Sequence, residues 1–308
     1  MERRTFLQSI AAAAVTPSRF AHAGPAPGAR ASIGSARPEP AERRKALLIS
    51  MLPDDLPYAR RFAMARQAGF DAVEMHTIAK PDEAAEVREA AAGAGIRIHS
   101  VMNADHWRFP LSSADPDIVK RSVAGLEASL SNAALWGADT VLLVPAVVDA
   151  TTTYHDAWTR SRDVIRRAVL PRARELKVTI AIEEVWNKFL LSPIEFVRYV
   201  DEFDSPWVKA YFDVGNVVFY GYPQDWIRTL GARIAKVHLK DFQLDRPNGR
   251  FQWRNLGEGD IDWLEVGRAL DAVGYRGYVT TEVAAGDADY LKDLAARVDR
   301  FLAGRKPV

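Results

Sequence analysis

The chain has 308 residues, with 41 Lys and Arg against 40 Asp and Glu, 48% hydrophobic residues and no cysteine. That balance suits a soluble globular fold with a large core, and it excludes disordered and collagen-like classes, disulfides and thiolate chemistry. A formal net charge of +1 without a long basic run leaves no electrostatic footprint for nucleic acid, so none is expected as a partner.

The first 45 residues read as something other than the fold. Glu2-Arg3-Arg4-Thr5-Phe6-Leu7 resembles the twin-arginine export signature, followed by an apolar stretch, Ile10 to Val15, and a small-residue cleavage site at Ala21-His22-Ala23. Residues 1–23 are expected to be a signal peptide handled by the Tat translocon, and the mature protein to be periplasmic or secreted. Residues 24–45, rich in Ala, Pro, Gly and Ser, are expected to form a flexible linker. The apolar stretch is far shorter than the ~20 residues that span a bilayer.

From residue 46 to 308 short apolar, β-branched runs alternate with segments of helical period. Strand Ala46–Met51 precedes helix Tyr58–Ala68, strand Asp71–Met75 precedes helix Asp82–Ala94, and strand Ile96–Val101 precedes helix Pro116–Trp136. Strand Thr140–Val144 leads to helix Ala157–Leu176, strand Val178–Glu183 to helix Pro193–Phe203, and strand Val208–Asp213 to helix Asp225–Leu230. Strand Ile234–Lys240 and helix Ile261–Val273 follow, then strand Tyr278–Val283 and helix Asp287–Leu302. Ser192-Pro193 has the chemistry of a helix start, and Gly69, Gly95, Gly137 and Gly274 stand where helices stop. Eight βα units predict an α/β fold, a single-domain (β/α)8 TIM barrel, whose chemistry lies at the C-terminal ends of the strands.

Four of the later strands finish on Glu183, Asp213, His238 and Glu282. A buried carboxylate at the end of an apolar strand is strongly disfavoured unless something pairs with it, and one shared cation would relieve all four positions. An imidazole with three carboxylates suits one divalent metal ion of hard or borderline character, Mn²⁺, Mg²⁺, Co²⁺ or Zn²⁺. Glu184 adjoins Glu183, and strand alternation lets only one of the two face the barrel interior. Trp107 with His106, and Trp186 with Asn187, are candidates for a sugar-binding wall, since aromatic faces suit the apolar side of a pyranose. The Gly257-Glu258-Gly259 loop could offer backbone N–H groups to a phosphate or simply turn into the next helix.

Gly69-Phe-Asp-Ala-Val-Glu74, Trp136-Gly-Ala-Asp-Thr-Val-Leu-Leu143, Ile182-Glu-Glu-Val-Trp-Asn-Lys-Phe189, Phe212-Asp-Val-Gly-Asn216, Lys236-Val-His-Leu-Lys-Asp241 and Gly274-Tyr-Arg-Gly-Tyr278 occur in that order. Together they resemble the sugar-phosphate isomerase and epimerase barrels of the xylose isomerase-like superfamily. The resemblance implies a single divalent ion, typically Mn²⁺, on Glu183, Asp213, His238 and Glu282, with Glu183 and Glu282 doubling as catalytic acid and base on a small carbohydrate. Ketose 3-epimerases carry a His where this chain has Asn216, and an Arg near the place of Lys240 and Asp241, so Asn216 and Lys240 are the substrate candidates at those positions. The expected activity is isomerisation or epimerisation of a ketose or keto-sugar. Alternatives are a periplasmic lyase or hydrolase of 3-keto-glycosides and a non-catalytic sugar-binding protein. Endonuclease IV chemistry is excluded, because it needs more His ligands than six in total can supply. Nothing in the sequence excludes a homo-oligomer.

Overall fold

The computed structural model describes residues 42–103 and 105–308. The expected signal peptide, 1–23, and linker residues 24–41 lie outside the described residues.

The elements in chain order are β1 (Arg43–Leu48), α1 (Tyr58–Ala68), β2 (Ala72–His76), α2 (Pro81–Ala94), β3 (Arg97–Met102) and α3 (Pro116–Trp136). Next come β4 (Thr140–Leu143), α4 (Tyr154–Val164), α5 (Leu170–Leu176), β5 (Thr179–Glu183), α6 (Pro193–Asp201), β6 (Val208–Asp213) and α7 (Pro223–Leu230). The chain ends with β7 (Ile234–Leu239), β8 (Asp241–Asp245), β9 (Arg250–Arg254), α8 (Trp263–Ala272), β10 (Gly277–Thr281) and α9 (Ala288–Leu302). A single π turn, Ile165–Val169, joins α4 to α5.

Eight parallel strands close into a barrel in the order β1-β10-β7-β6-β5-β4-β3-β2, the (β/α)8 TIM barrel that the eight βα units predict. Strand alternation sorts its side chains into two cores. Ile180, Ile182, Val237 and Leu239 point outward into the layer beneath the helices. Leu142, Val144, Ala181 and Tyr211 pack inside the barrel, as do Ala46, Ala72 and Tyr278. Local chemistry ends the helices where the sequence signals it: α1, α2 and α3 stop at Gly69, Gly95 and Gly137, each at positive φ. Ser192 Oγ accepts the Glu195 N–H at 3.3 Å with Pro193 in the first turn, a cap that contributes about 1 kcal/mol.

Two differences from the sequence expectation bear on the site. β1 begins at Arg43, inside the expected linker. Its basic residues are paired with the outer helices: Lys45 Nζ lies 2.5 Å from Asp299 Oδ2, and Arg43 Nη2 lies 2.8 Å from Asp271 Oδ1. The second difference is an antiparallel hairpin, β8 and β9, directly after β7, in register Phe242 opposite Trp253. It turns through Gly249 at φ +61. No helix among the described residues is long and apolar enough to cross a membrane.

Candidate metal centre

Each predicted ligand sits where a strand runs out. Glu183 closes β5 two residues beyond the inward Ala181, so it faces the barrel interior. Glu184 is therefore turned outward, where its Oε1 accepts the Asp213 N–H at 2.9 Å. Burial, with Asp213 and Glu183 nearby, pushes the Glu184 carboxyl well above the usual range. Asp213 closes β6 and splits its two oxygens between tasks. Oδ1 accepts the N–H groups of Gly215 and Asn216, both at 2.8 Å, which leaves Oδ2 to the cluster. His238 lies opposite Asp213 in the β6–β7 register, and Glu282 follows the last residue of β10.

These four side chains offer ligand atoms that all lie within 4.8 Å of one another. His238 Nδ1 is 2.9 Å from Glu282 Oε2, 3.1 Å from Glu183 Oε1 and 3.7 Å from Asp213 Oδ2. Asp213 Oδ2 and Glu282 Oε2 are buried without an aligned hydrogen-bond donor. Lys240 Nζ lies 3.1 and 3.0 Å from these two atoms, and it pairs with them by charge. Three carboxylates and an imidazole nitrogen converging on one point, with two of the carboxylate oxygens short of an aligned donor, fit a divalent cation of hard or borderline character.

Glu74, in the middle of β2, supplies what the strand ends do not. It is completely buried, and its Oε2 lies 2.6 Å from His238 Nε2 while its Oε1 accepts from Ser100 Oγ at 2.6 Å. A carboxylate on Nε2 fixes the ring orientation and leaves Nδ1 as the nitrogen that faces the cluster. Burial disfavours charge on this imidazole, but Tyr211, Glu74 and Glu282 around it raise its pKa well above the ordinary value. The lone charge in the apolar stretch Ala72-Val73-Glu74-Met75 is the sequence signal for this role.

Burial pushes Glu183 up to about 7. Burial acts the same way on Glu282, but His238 and Lys240 outweigh it and hold that carboxyl down at about 2. With no cation bound, the two glutamates therefore titrate far apart.

A cavity of about 240 Å³ opens above the cluster, with Glu183 and Glu282 in its floor. Trp107, Trp186, Asn216 and Lys240 line it, as the sequence suggests, and so does His106. Burial lowers the His106 imidazole to about 4, so it is neutral. Asn187 is a correction. Its Nδ2 donates to Ala146 O at 2.6 Å and its Oδ1 accepts the Phe189 N–H at 3.1 Å, so both ends of the amide hold loop backbone. Trp253, on β9, is the wall residue that the sequence reading misses. It stacks on Trp186 at 5.2 Å between centroids and lies 5.4 Å beneath Lys240 Nζ. His99 stays in the core, bonded to Thr280 Oγ1 at 3.0 Å and stacked on Tyr278.

Residues 62–300 match the xylose isomerase-like TIM barrel family. SgbU of Escherichia coli strain K12, named as an L-ribulose-5-phosphate 3-epimerase, is 30% identical over 246 residues, covering 75% of this chain and 85% of the relative. The chain belongs to the xylose isomerase-like TIM barrel family. The L-ribulose-5-phosphate 3-epimerase UlaE of Escherichia coli O1:K1 is 27% identical over 80% of this chain and 88% of its own. Solved structures share the fold: an L-ribulose 3-epimerase has a TM-score of 0.70 at 20% identity, covering 85% of this chain and 95% of that one. The 3-keto-D-glucoside 4-epimerase YcjR of E. coli has a TM-score of 0.71 at 16% identity, covering 84% and 99%.

Within this xylose isomerase-like barrel the Gly257–Gly259 loop is already in use. The Asp241 carboxylate accepts the Gly257 N–H at 2.8 Å, the Phe242 N–H at 2.9 Å and the Trp263 Nε1–H at 2.9 Å. A Cβ on Gly259 would fall against Asp241 Oδ1, so only glycine allows the approach. The anion this loop holds is the chain's own.

The Glu74–His238 pair gives a direct expectation. Glu74→Gln weakens Mn²⁺ binding about tenfold, the lower end of the effect of losing a carboxylate behind a metal-binding histidine. Isothermal titration of the metal-stripped protein checks this, and unchanged affinity would show that Glu74 does not orient the imidazole.

Proposed function

We propose that the protein is a divalent-metal-dependent epimerase or isomerase of a ketose or keto-sugar, acting by removal of a proton from the carbon beside a ketone. The observation that carries this reading is geometric: Glu183 and Glu282 meet in one four-residue cluster able to hold a cation, and both face the same cavity. The epimerase names of SgbU and UlaE support it. A binding protein would have no use for an acid and a base at one carbon.

Glu183, Asp213, His238 and Glu282 would hold a divalent cation, with Mn²⁺ the first choice, and when bound it would supply Lewis-acid stabilisation of negative charge beside the ketone. Glu282, ionised and open to the cavity, takes the proton; a carboxylate base in position contributes about 10²–10⁴-fold. Glu183, on β5, is placed to return a proton from its own side, giving epimerisation at the same carbon or isomerisation at its neighbour. Glu74 holds the imidazole, and Asn216 is fixed by its Nδ2 bond to Glu184 O at 2.9 Å. Trp107, Trp186 and Trp253 wall the ring from water. We also assign the mature chain to the far side of the cytoplasmic membrane, on the strength of the Arg3-Arg4 signature and its cleavage site.

The test is solvent exchange. A panel of free ketoses, ketose phosphates and 3-keto-glycosides is incubated with the Mn²⁺-loaded protein in D₂O and followed by proton NMR. Loss of the signal beside the ketone in at least one class, with an epimer or aldose as product, is the expected result. Absence of exchange across the panel would overturn the reading.

A further inference from the structure

A second cavity opens at the same end of the barrel. It has a volume of about 670 Å³ and is lined by Leu48, Ser50, Arg254, Asn255, Val283 and Tyr290. Lys240, Trp253 and Glu282 border both this space and the lobe above the cluster. The two spaces are therefore lobes of one site, meeting at the glutamate that takes the proton. The inner lobe, at about 240 Å³, falls below the roughly 300–1,000 Å³ of complete small-molecule sites, and the outer lobe supplies the difference.

We propose that the substrate is a keto-sugar carrying an apolar, flat substituent, an aryl glycoside in chemical class. Its sugar ring lies over the cluster, and its substituent lies in the outer lobe among Leu48, Val283, Tyr290 and Trp253. This rests on the epimerase reading above and specifies its substrate. The lining decides against a charged substituent. In the Gly257–Gly259 loop the Gly257 N–H is taken by Asp241 and the Glu258 N–H by Asn255 O. Lys240 faces Asp213 and Glu282. Arg254 has both Nε and Nη2 on Gln243 Oε1, at 3.0 and 2.6 Å. Against these committed charges stand an aliphatic floor, with Leu48 buried, and two aromatic rings, of which Trp253 is 46% exposed. Such a surface favours an apolar group for the area it removes from water and a ring for its stacking.

Inert probes separate the lobe from the chemistry. Phenyl and methyl glucopyranosides, in either anomer, are titrated into the Mn²⁺-loaded protein, together with a disaccharide and a ketose 5-phosphate. The phenyl glycoside is expected to bind about tenfold more tightly than the methyl glycoside, on the scale of one aromatic group buried. Ser50→Trp and, independently, Ala284→Trp, at a residue that also lines the outer lobe, are expected to abolish that preference by filling the space the phenyl group would occupy, so that phenyl and methyl glycosides bind alike. Equal binding of the two glycosides, a preference that survives both tryptophans, or tighter binding of the disaccharide or the phosphate would overturn the proposal. Failure of exchange with the phenyl preference intact counts against the epimerase reading. Exchange with no phenyl preference counts against the outer lobe alone.

Discussion

Glu282→Gln is expected to lower the rate of solvent exchange by about 10²–10⁴-fold, the share of a positioned general base, with the fold intact. The amide keeps the volume and an oxygen facing the cluster, but it cannot accept the proton. The loss should fall on kcat, because Lys240, Trp186 and Trp253 still shape the same cavity wall. Glu183→Gln gives the contrasting result: deuterium still washes in beside the ketone, while return of a proton from the other side fails, so exchange outlasts inversion. An undiminished kcat in Glu282→Gln, with circular dichroism unchanged, would remove Glu282 from the role of base.

Exhaustive chelation is the second large effect. EDTA should silence the wild-type protein and Mn²⁺ should restore it; full activity on a ketose after chelation would sink the metal-dependent reading. The pH dependence follows from the cluster's own protons. Glu183 is raised to about 7 and His238 lies well above its ordinary value, so a cation must displace protons from both below neutral pH. The sign is therefore that Mn²⁺ affinity rises with pH, most steeply below about 7, where the Glu183 proton must also leave. Calorimetry in two buffers of different ionisation enthalpy counts the protons released. An affinity that does not change with pH would show that these groups are not the ligands.

The barrel is legible in the chain because each inner strand is a short apolar run between helical segments, several of them ended by glycine, a pattern that depends on neighbours in sequence. β1 is harder to read. Arg43 and Lys45 look like linker until Asp271 and Asp299, more than 200 residues away, fold back to pair with them. Glu183, Asp213, His238 and Glu282 are legible as a group because strand ends in a closed barrel share one rim. Glu74 is a different case: its lone charge in an apolar strand marks it as unusual, but its partner His238 lies 164 residues on, so the contact itself cannot be read locally. Asn187, beside a tryptophan in a rim loop, has the chemistry of a sugar ligand, but two backbone groups claim its amide first. The hairpin is written in the alternation Phe242, Leu244 and Phe251, Trp253 about an Asn248-Gly249 turn. It falls outside the βα repeat, so a reading guided by the repeat passes over it.

Asp241 has a consequence for how this chain could change. It stands at the first residue of the hairpin, and its carboxylate ties that end to the loop before α8. Trp253 rides on the return strand, while every residue of the cation cluster belongs to the barrel's own rim. Part of the selectivity surface, Trp253 and its strand, is thus encoded apart from the reactive cluster, while Leu48, Val283 and Tyr290 belong to the barrel. The hairpin behaves as a cassette: exchanging residues 242–254 with Asp241 retained would redirect the protein to a different sugar derivative without disturbing the groups that move the proton.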